Sequence, residues 1–146
     1  MTVSRFRSLS RFAATLLLWA VASIAVAAPL SATLYRDASC GCCHKYVDHL
    51  RDAGYDVTVA EMGNRAERFR AAGVPPELSS CHMMRIGGYV VVGHVPLETV
   101  ARLLREQPDI KGIALPGMPI GTPGMPGEKT QPFVVRTLQG DVYARL

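Results

Sequence analysis

The chain has 146 residues, a formal charge of +4, 49% hydrophobic residues and four cysteines. Its surplus of positive charge sits at the N-terminus, where Arg5, Arg7 and Arg11 stand without an acid, and the remaining 119 residues balance 13 basic against 12 acidic side chains. With no basic run and no aromatics interleaved with lysine or arginine, nucleic acid and anionic membrane surfaces are excluded as expected partners.

The three arginines precede an apolar run from Phe12 to Ala25, broken only by Thr15 and Ser23, and then Ala25, Val26 and Ala27. This order predicts a secretory signal peptide over residues 1–27, cleaved after Ala27. The run is short for a membrane anchor, which needs about 20 apolar residues. Residues 28–146 then form one domain, expected in the periplasm, because this length supports one modest core and not two.

Ala32 to Tyr35 reads as a strand that runs into a loop. From Cys43 onward, Cys43, Tyr46, Val47 and Leu50 recur at helical spacing, and Gly54 is a natural stop. The cysteine cluster therefore sits at a helix N-terminus. Asp56 to Ala60 predicts a second strand, parallel to the first because a helix joins them. Asn64, with Glu67 three residues on, resembles a capping arrangement for a helix over Arg65 to Ala72, closed by Gly73.

Val74 to Ser80, with Pro75 and Pro76, reads as a loop or a single helical turn that delivers Cys81 and His82 to the next strand. Met83 to Ile86 and Tyr89 to Val92 flank Gly87 and Gly88, the signal of an antiparallel hairpin. Pro96 opens a helix whose apolar stripe is Leu97, Val100, Ala101 and Leu104. The order strand, cysteine-rich turn, helix, strand, helix, loop, strand, strand, helix predicts an α/β, thioredoxin-like mixed sheet flanked by helices. Eight of the thirteen residues from Leu115 to Gly127 are Pro or Gly, with Pro-Gly-Met-Pro at both 116–119 and 123–126, so a Pro/Gly/Met-rich loop follows. Phe133 to Thr137 and Val142 to Leu146, around Gly140 and Asp141, predict a C-terminal hairpin.

Cys40, Cys42 and Cys43 place three thiols in four positions, and His44 follows directly. An exported protein favours disulfides, but structural bridges usually join separated segments, so metal or redox chemistry is the better reading. A helix N-terminus lowers a thiol's pKa and supplies the thiolates that either chemistry needs. Cys40 and Cys43 stand in the C-x-x-C relation of dithiol oxidoreductases, so a thiol–disulfide oxidoreductase is the alternative function. The third thiol argues for metal, since crowded sulfurs can bridge soft ions while a redox dithiol gains little from a neighbour able to attack its disulfide. Zinc, iron–sulfur and Cu(I) all accept thiolates, and Cu(I) fits best.

Cys81 supplies the fourth sulfur, and the adjacent His82 is a candidate ligand or a hydrogen-bond partner that tunes a thiolate. His44 is balanced between a supporting ligand and a surface group. His49 lies about 240° around the helix and about 9 Å along it from Cys43, which predicts a solvated side chain. His94 reads as structural. Met118 and Met125, in the two Pro-Gly-Met-Pro repeats, are further thioether candidates, although methionine more often packs than ligates.

Cys40-Gly41-Cys42-Cys43-His44, Val74-Pro75-Pro76-Glu77-Leu78 leading to Cys81-His82, Gly88-Tyr89-Val90 with Gly93-His94-Val95-Pro96, and Pro116-Gly117-Met118-Pro119 together resemble the CopG-type periplasmic copper-resistance proteins. The resemblance spans Tyr35 to Gly127. It implies a thioredoxin-like domain in which Cys40, Cys42, Cys43 and Cys81 bridge a multinuclear copper cluster of several Cu(I) ions. It also implies a role in copper resistance or homeostasis with copper redox activity, and other periplasmic copper-handling proteins as partners. Met83 stands where the family pattern would place a small polar residue. In thioredoxin-like domains the loop before the third strand approaches the C-x-x-C turn, usually through a cis-proline, and here Cys81 and His82 take that place.

Overall fold

A computed structural model describes residues 29–146. The expected signal peptide, residues 1–27, lies outside the described residues. Seven strands form one mixed sheet in the order β2-β1-β3-β4-β5-β6-β7. They are β1 (Ser31–Arg36), β2 (Asp56–Glu61), β3 (His82–Ile86), β4 (Tyr89–Val92), β5 (Gly112–Ala114), β6 (Val134–Thr137) and β7 (Val142–Arg145). Three helices flank them: α1 (Gly41–Asp52), α2 (Arg65–Ala71) and α3 (Leu97–Glu106). Among the described residues no helix is long and apolar enough to cross a membrane.

The β1-α1-β2 unit pairs its strands in parallel, while β3 runs antiparallel to both β1 and β4. That is the thioredoxin-like arrangement expected from the element order. Strand alternation divides the core into two layers. Leu34, Met84, Val91 and Ile113 pack with Tyr46 and Leu50 of α1 and Val100 and Leu103 of α3. Met83, Val90, Val92 and Ala114 pack on the other face with Phe69 of α2 and Leu78. Met83 therefore faces away from Tyr46, on the face opposite Met84.

Local signals account for most element ends. Asn64 Oδ1 accepts the Glu67 amide at 3.1 Å, which caps α2. Gly87 and Gly88 have φ of 55° and 86°, the two positive values that a tight hairpin between β3 and β4 demands. The loop from Val74 to Ser80 contains a single 3-10 turn, Pro76–Leu78. Helix α1 begins two residues earlier than its apolar periodicity alone would place it, at Gly41, with Cys40 as the N-cap residue.

β5 has no counterpart in the predicted elements. It is only three residues long, and Gly112 in it lies so near β4 that an added Cβ would stand 2.0 Å from the Val90 carbonyl oxygen. The strand pairs in parallel with β4 and antiparallel with β6, and so welds the C-terminal hairpin of β6 and β7 onto the sheet. Between β5 and β6 the Pro/Gly-rich segment forms only turns and bends, and it folds back over the start of α1.

Candidate metal centre

Strand register brings the two cysteine segments together. Arg36, the last residue of β1, pairs with His82, the first of β3. Cys81 thus leaves the sheet where the chain turns towards Cys40. Arg65 of α2 ties the two loops, ion-paired with Asp37 of the first and donating from Nη1 to the Ser80 carbonyl of the second at 2.7 Å. Cys40 N donates to the Asp37 carbonyl at 3.0 Å, which folds the first loop onto the helix start.

The ligand atoms of Cys40, Cys42, Cys43 and Cys81 all lie within 4.8 Å of one another. Cys40 and Cys43 are joined in a disulfide, and Cys42 and Cys81 are free thiols, both partly buried. Cys42 Sγ stands 3.5 Å from Cys40 Sγ. Cys43 is fully buried beneath the first turn of α1, while Cys40 keeps some exposure. The closed disulfide withdraws two of the four sulfurs from coordination, so the four-thiolate set belongs to the reduced chain.

A second group overlaps the first: Cys43, Cys81, His82 and His94 also offer ligand atoms within 4.8 Å of one another. Cys81 Sγ is 3.2 Å from His94 Nε2 and 3.4 Å from His82 Nδ1. His94 Nδ1 stands 2.8 Å from the Pro123 carbonyl, which can only accept, so Nδ1 carries the proton and the Nε2 lone pair faces the sulfur. The two imidazoles and Tyr46 form a buried aromatic group, with centroids 4.8 Å apart for Tyr46–His82 and His82–His94 and 5.4 Å for Tyr46–His94. Tyr46 Oη donates to the Val95 carbonyl at 2.8 Å and fixes the ring.

Burial governs the electrostatics. It pushes the His82 pKa down from 6.5 to about 3, helped by the neighbouring His94. Burial lowers the His94 pKa as well, partly opposed by the Pro123 carbonyl. Both imidazoles are therefore neutral and able to ligate at neutral pH. The Cys81 thiol is pushed up to about 11, chiefly by burial and next by the Cys42 charge. Without a cation the thiolate is disfavoured, so this is a pocket that a metal ion would complete. His82 Nε2 is buried with no hydrogen-bond partner among the described residues. The donor chemistry, thiol sulfur with neutral imidazole nitrogen, fits soft and borderline ions.

The remaining candidates fall outside this cluster. His44 and His49 are both exposed on α1, His49 as its position around the helix predicts. Met118 is 51% exposed in the first repeat. Met125 is half-buried in a shallow depression with Lys45, His49 and Thr122. The second repeat touches the centre through its backbone instead. Gly124, at φ +84°, approaches so closely that an added Cβ would lie 2.6 Å from the Cys42 carbonyl oxygen and 3.3 Å from His94 Nδ1.

His94 is the residue that the sequence reading placed in a structural role and the structure places beside Cys81. The signal was present in the hairpin. β3 and β4 pair Met83 with Val92, and continuing that register outward sets Cys81 opposite His94. The described residues contain no cis peptide bond, and Cys81 directly precedes β3.

Comparison with known proteins gives three results. Residues 78–125 match the family described as "Protein of unknown function, DUF411". Comparison with curated protein sequences finds no match. Two solved structures, titled "Copper resistance protein copG", Form 1 and Form 2, each superpose with a TM-score of 0.73 at 38% identity, over 81% of this chain and 98% of the other. With that identity across nearly the whole length of the solved protein, and with four cysteine sulfurs gathered at one helix N-terminus, the chain belongs to the CopG copper-resistance family.

Proposed function

We propose that this protein is a periplasmic copper-binding protein that, with its cysteines reduced, holds several Cu(I) ions on Cys40, Cys42, Cys43 and Cys81 and acts in copper resistance or homeostasis. The observation that carries this reading is the convergence of all four cysteine sulfurs within 4.8 Å. Sulfurs so close can each be shared between soft ions. The copper-resistance titles of the related structures favour copper as the metal, and the signal-like residues 1–27 favour the periplasm.

The protein shapes the centre in three ways. Arg65 holds the two cysteine loops in register. His82 and His94, neutral and buried, line its inner side without adding positive charge. The Pro123-Gly124 turn closes over the first turn of α1. Bound copper would supply soft-acid binding of thiolates and a one-electron couple.

Anaerobic Cu(I) titration of the reduced protein should load more than one copper per chain, with thiolate-to-copper absorption. A single weakly held copper that survives Cys81→Ser would refute the reading. A second reading, a thiol–disulfide oxidoreductase, is favoured by the closed Cys40–Cys43 bridge with Cys42 at 3.5 Å. It requires the metal-free protein to turn over a model disulfide, and a folded but inactive metal-free protein would eliminate it.

A further inference from the structure

We propose that the reduced chain carries a second metal site on the inner side of the four-cysteine cluster: a closed, single-ion, zinc-type site made by Cys43 Sγ, Cys81 Sγ and one ring nitrogen each of His82 and His94. It goes beyond the copper reading, which rests on the four sulfurs alone. Because Cys43 and Cys81 serve both donor sets, a zinc ion here and a filled copper cluster exclude one another.

Three observations carry it. First, the four ligand atoms converge as one group, each within 4.8 Å of every other. Ligands of one tetrahedral zinc, at about 2.3 Å for sulfur and about 2.0 Å for nitrogen, stand about 3.3–3.8 Å apart. Cys81 Sγ already stands close to such distances from both rings, 3.2 Å from His94 Nε2 and 3.4 Å from His82 Nδ1. The remaining pairs need to close by about 1–1.5 Å at most, and opening the disulfide frees Cys43 Sγ to turn towards them. Second, His82 and His94 are fully buried, and His82 Nε2 has no hydrogen-bond partner among the described residues. A buried polar ring is costly unless something binds it, and packing alone is served by an apolar side chain. Third, the Pro123 carbonyl fixes the proton of His94 on Nδ1 and orients the Nε2 lone pair towards Cys81, as the outer partner of a metal-bound histidine does.

Two thiolates with two imidazoles complete the four-coordinate set that suits zinc, whereas four clustered thiolates favour Cu(I). Zinc binding is redox-neutral: two S–Zn bonds and two N–Zn bonds form, and the thiol protons of Cys43 and Cys81 pass to solvent. The neutral imidazoles release no proton, and no electron is transferred. The site needs Cys43 as a thiol, so the closed Cys40–Cys43 disulfide blocks it together with the copper cluster.

The test uses the purified protein, reduced and kept anaerobic, with all four thiols counted free. Titration with Co2+, a coloured stand-in for zinc, should give one ion per chain with a thiolate-to-cobalt band and tetrahedral visible absorption, both lost on adding Zn2+. The double variant Cys40→Ser/Cys42→Ser, which keeps all four donors and removes the two sulfurs outside the set, should bind one cobalt with the same spectrum. Cys43→Ser and His94→Ala should each weaken cobalt binding at least tenfold. Loss of cobalt from the double variant, as a site built on four sulfurs would show, or undiminished affinity in His94→Ala, overturns the proposal. Should His94→Ala fail to fold, X-ray absorption of Zn2+ bound to the double variant decides: two sulfurs with two imidazole nitrogens are expected, and fewer than two imidazoles overturns it. Cu(I) titration of the reduced wild-type chain reports separately on the copper reading, so either can fail while the other stands.

Discussion

Acid should unfold the metal-free protein through His82. Its ring is fully buried against Tyr46 and His94, and its pKa falls from 6.5 to about 3. Below pH 6.5 the unfolded chain takes up a proton that the folded chain refuses, so stability present above pH 6.5 is lost progressively down to about pH 3. A difference of about 3.5 pKa units at about 1.4 kcal/mol each gives a loss of about 5 kcal/mol at the acid limit. By pH 4.5 about 3 kcal/mol of this is gone, a large part of the 5–15 kcal/mol typical of a domain. His94, whose pKa is also lowered by burial, adds in the same direction. Urea unfolding of the metal-free, disulfide-closed protein at pH 7 and pH 4.5 measures the loss, and His82→Phe isolates the His82 share while keeping an aromatic ring in the stack. The wild type should lose about 2–3 kcal/mol more than the variant over that interval, a relative midpoint shift of about 1–2 M urea. Parallel losses in the two proteins would refute the argument, since His82 would then titrate alike folded and unfolded.

Three further outcomes follow from the same centre. Gly124→Ala forces a Cβ onto a residue at φ +84° and to within 2.6 Å of the Cys42 carbonyl oxygen, so it should cost at least about 1–2 kcal/mol in chemical denaturation and weaken copper loading of the reduced protein. Tyr46→Phe leaves the Val95 carbonyl without its 2.8 Å partner and should cost about 1–3 kcal/mol, read as a lower melting temperature. Because the Cys81 thiol is raised to about 11, any metal that binds it must displace a proton at neutral pH. Apparent affinity should therefore climb about tenfold per pH unit for that thiol between pH 6 and 9, and a competition titration showing no pH dependence would contradict the assignment of Cys81 as a ligand.

The fold was legible wherever its signals were local. Apolar spacing located α1 and α3, Asn64 with Glu67 marked the start of α2, and Gly87-Gly88 marked the hairpin. β5 escaped because three residues carry no measurable period, and its glycine is explained only by the Val90 carbonyl that lies against it. His94 escaped for a different reason. Its neighbours in sequence, Gly93 and Val95, describe a turn, and its chemical partner Cys81 lies across the hairpin.

The sequence by itself determined the chemistry on offer: three thiols within four residues at a helix start, a Cys-His pair some forty residues later, and the element order of a thioredoxin-like sheet. Those are properties of composition and short-range spacing, which the chain carries whether folded or not. Tertiary structure alone decided which donors meet. Pairing Arg36 with His82 brought Cys81 to the first cluster, pairing β3 with β4 brought His94 to Cys81, and the Pro123 carbonyl set the tautomer that turns His94 Nε2 inward. Each of these depends on strand register or on a carbonyl from a distant loop, and a contact between remote residues leaves no trace in the local pattern of either one.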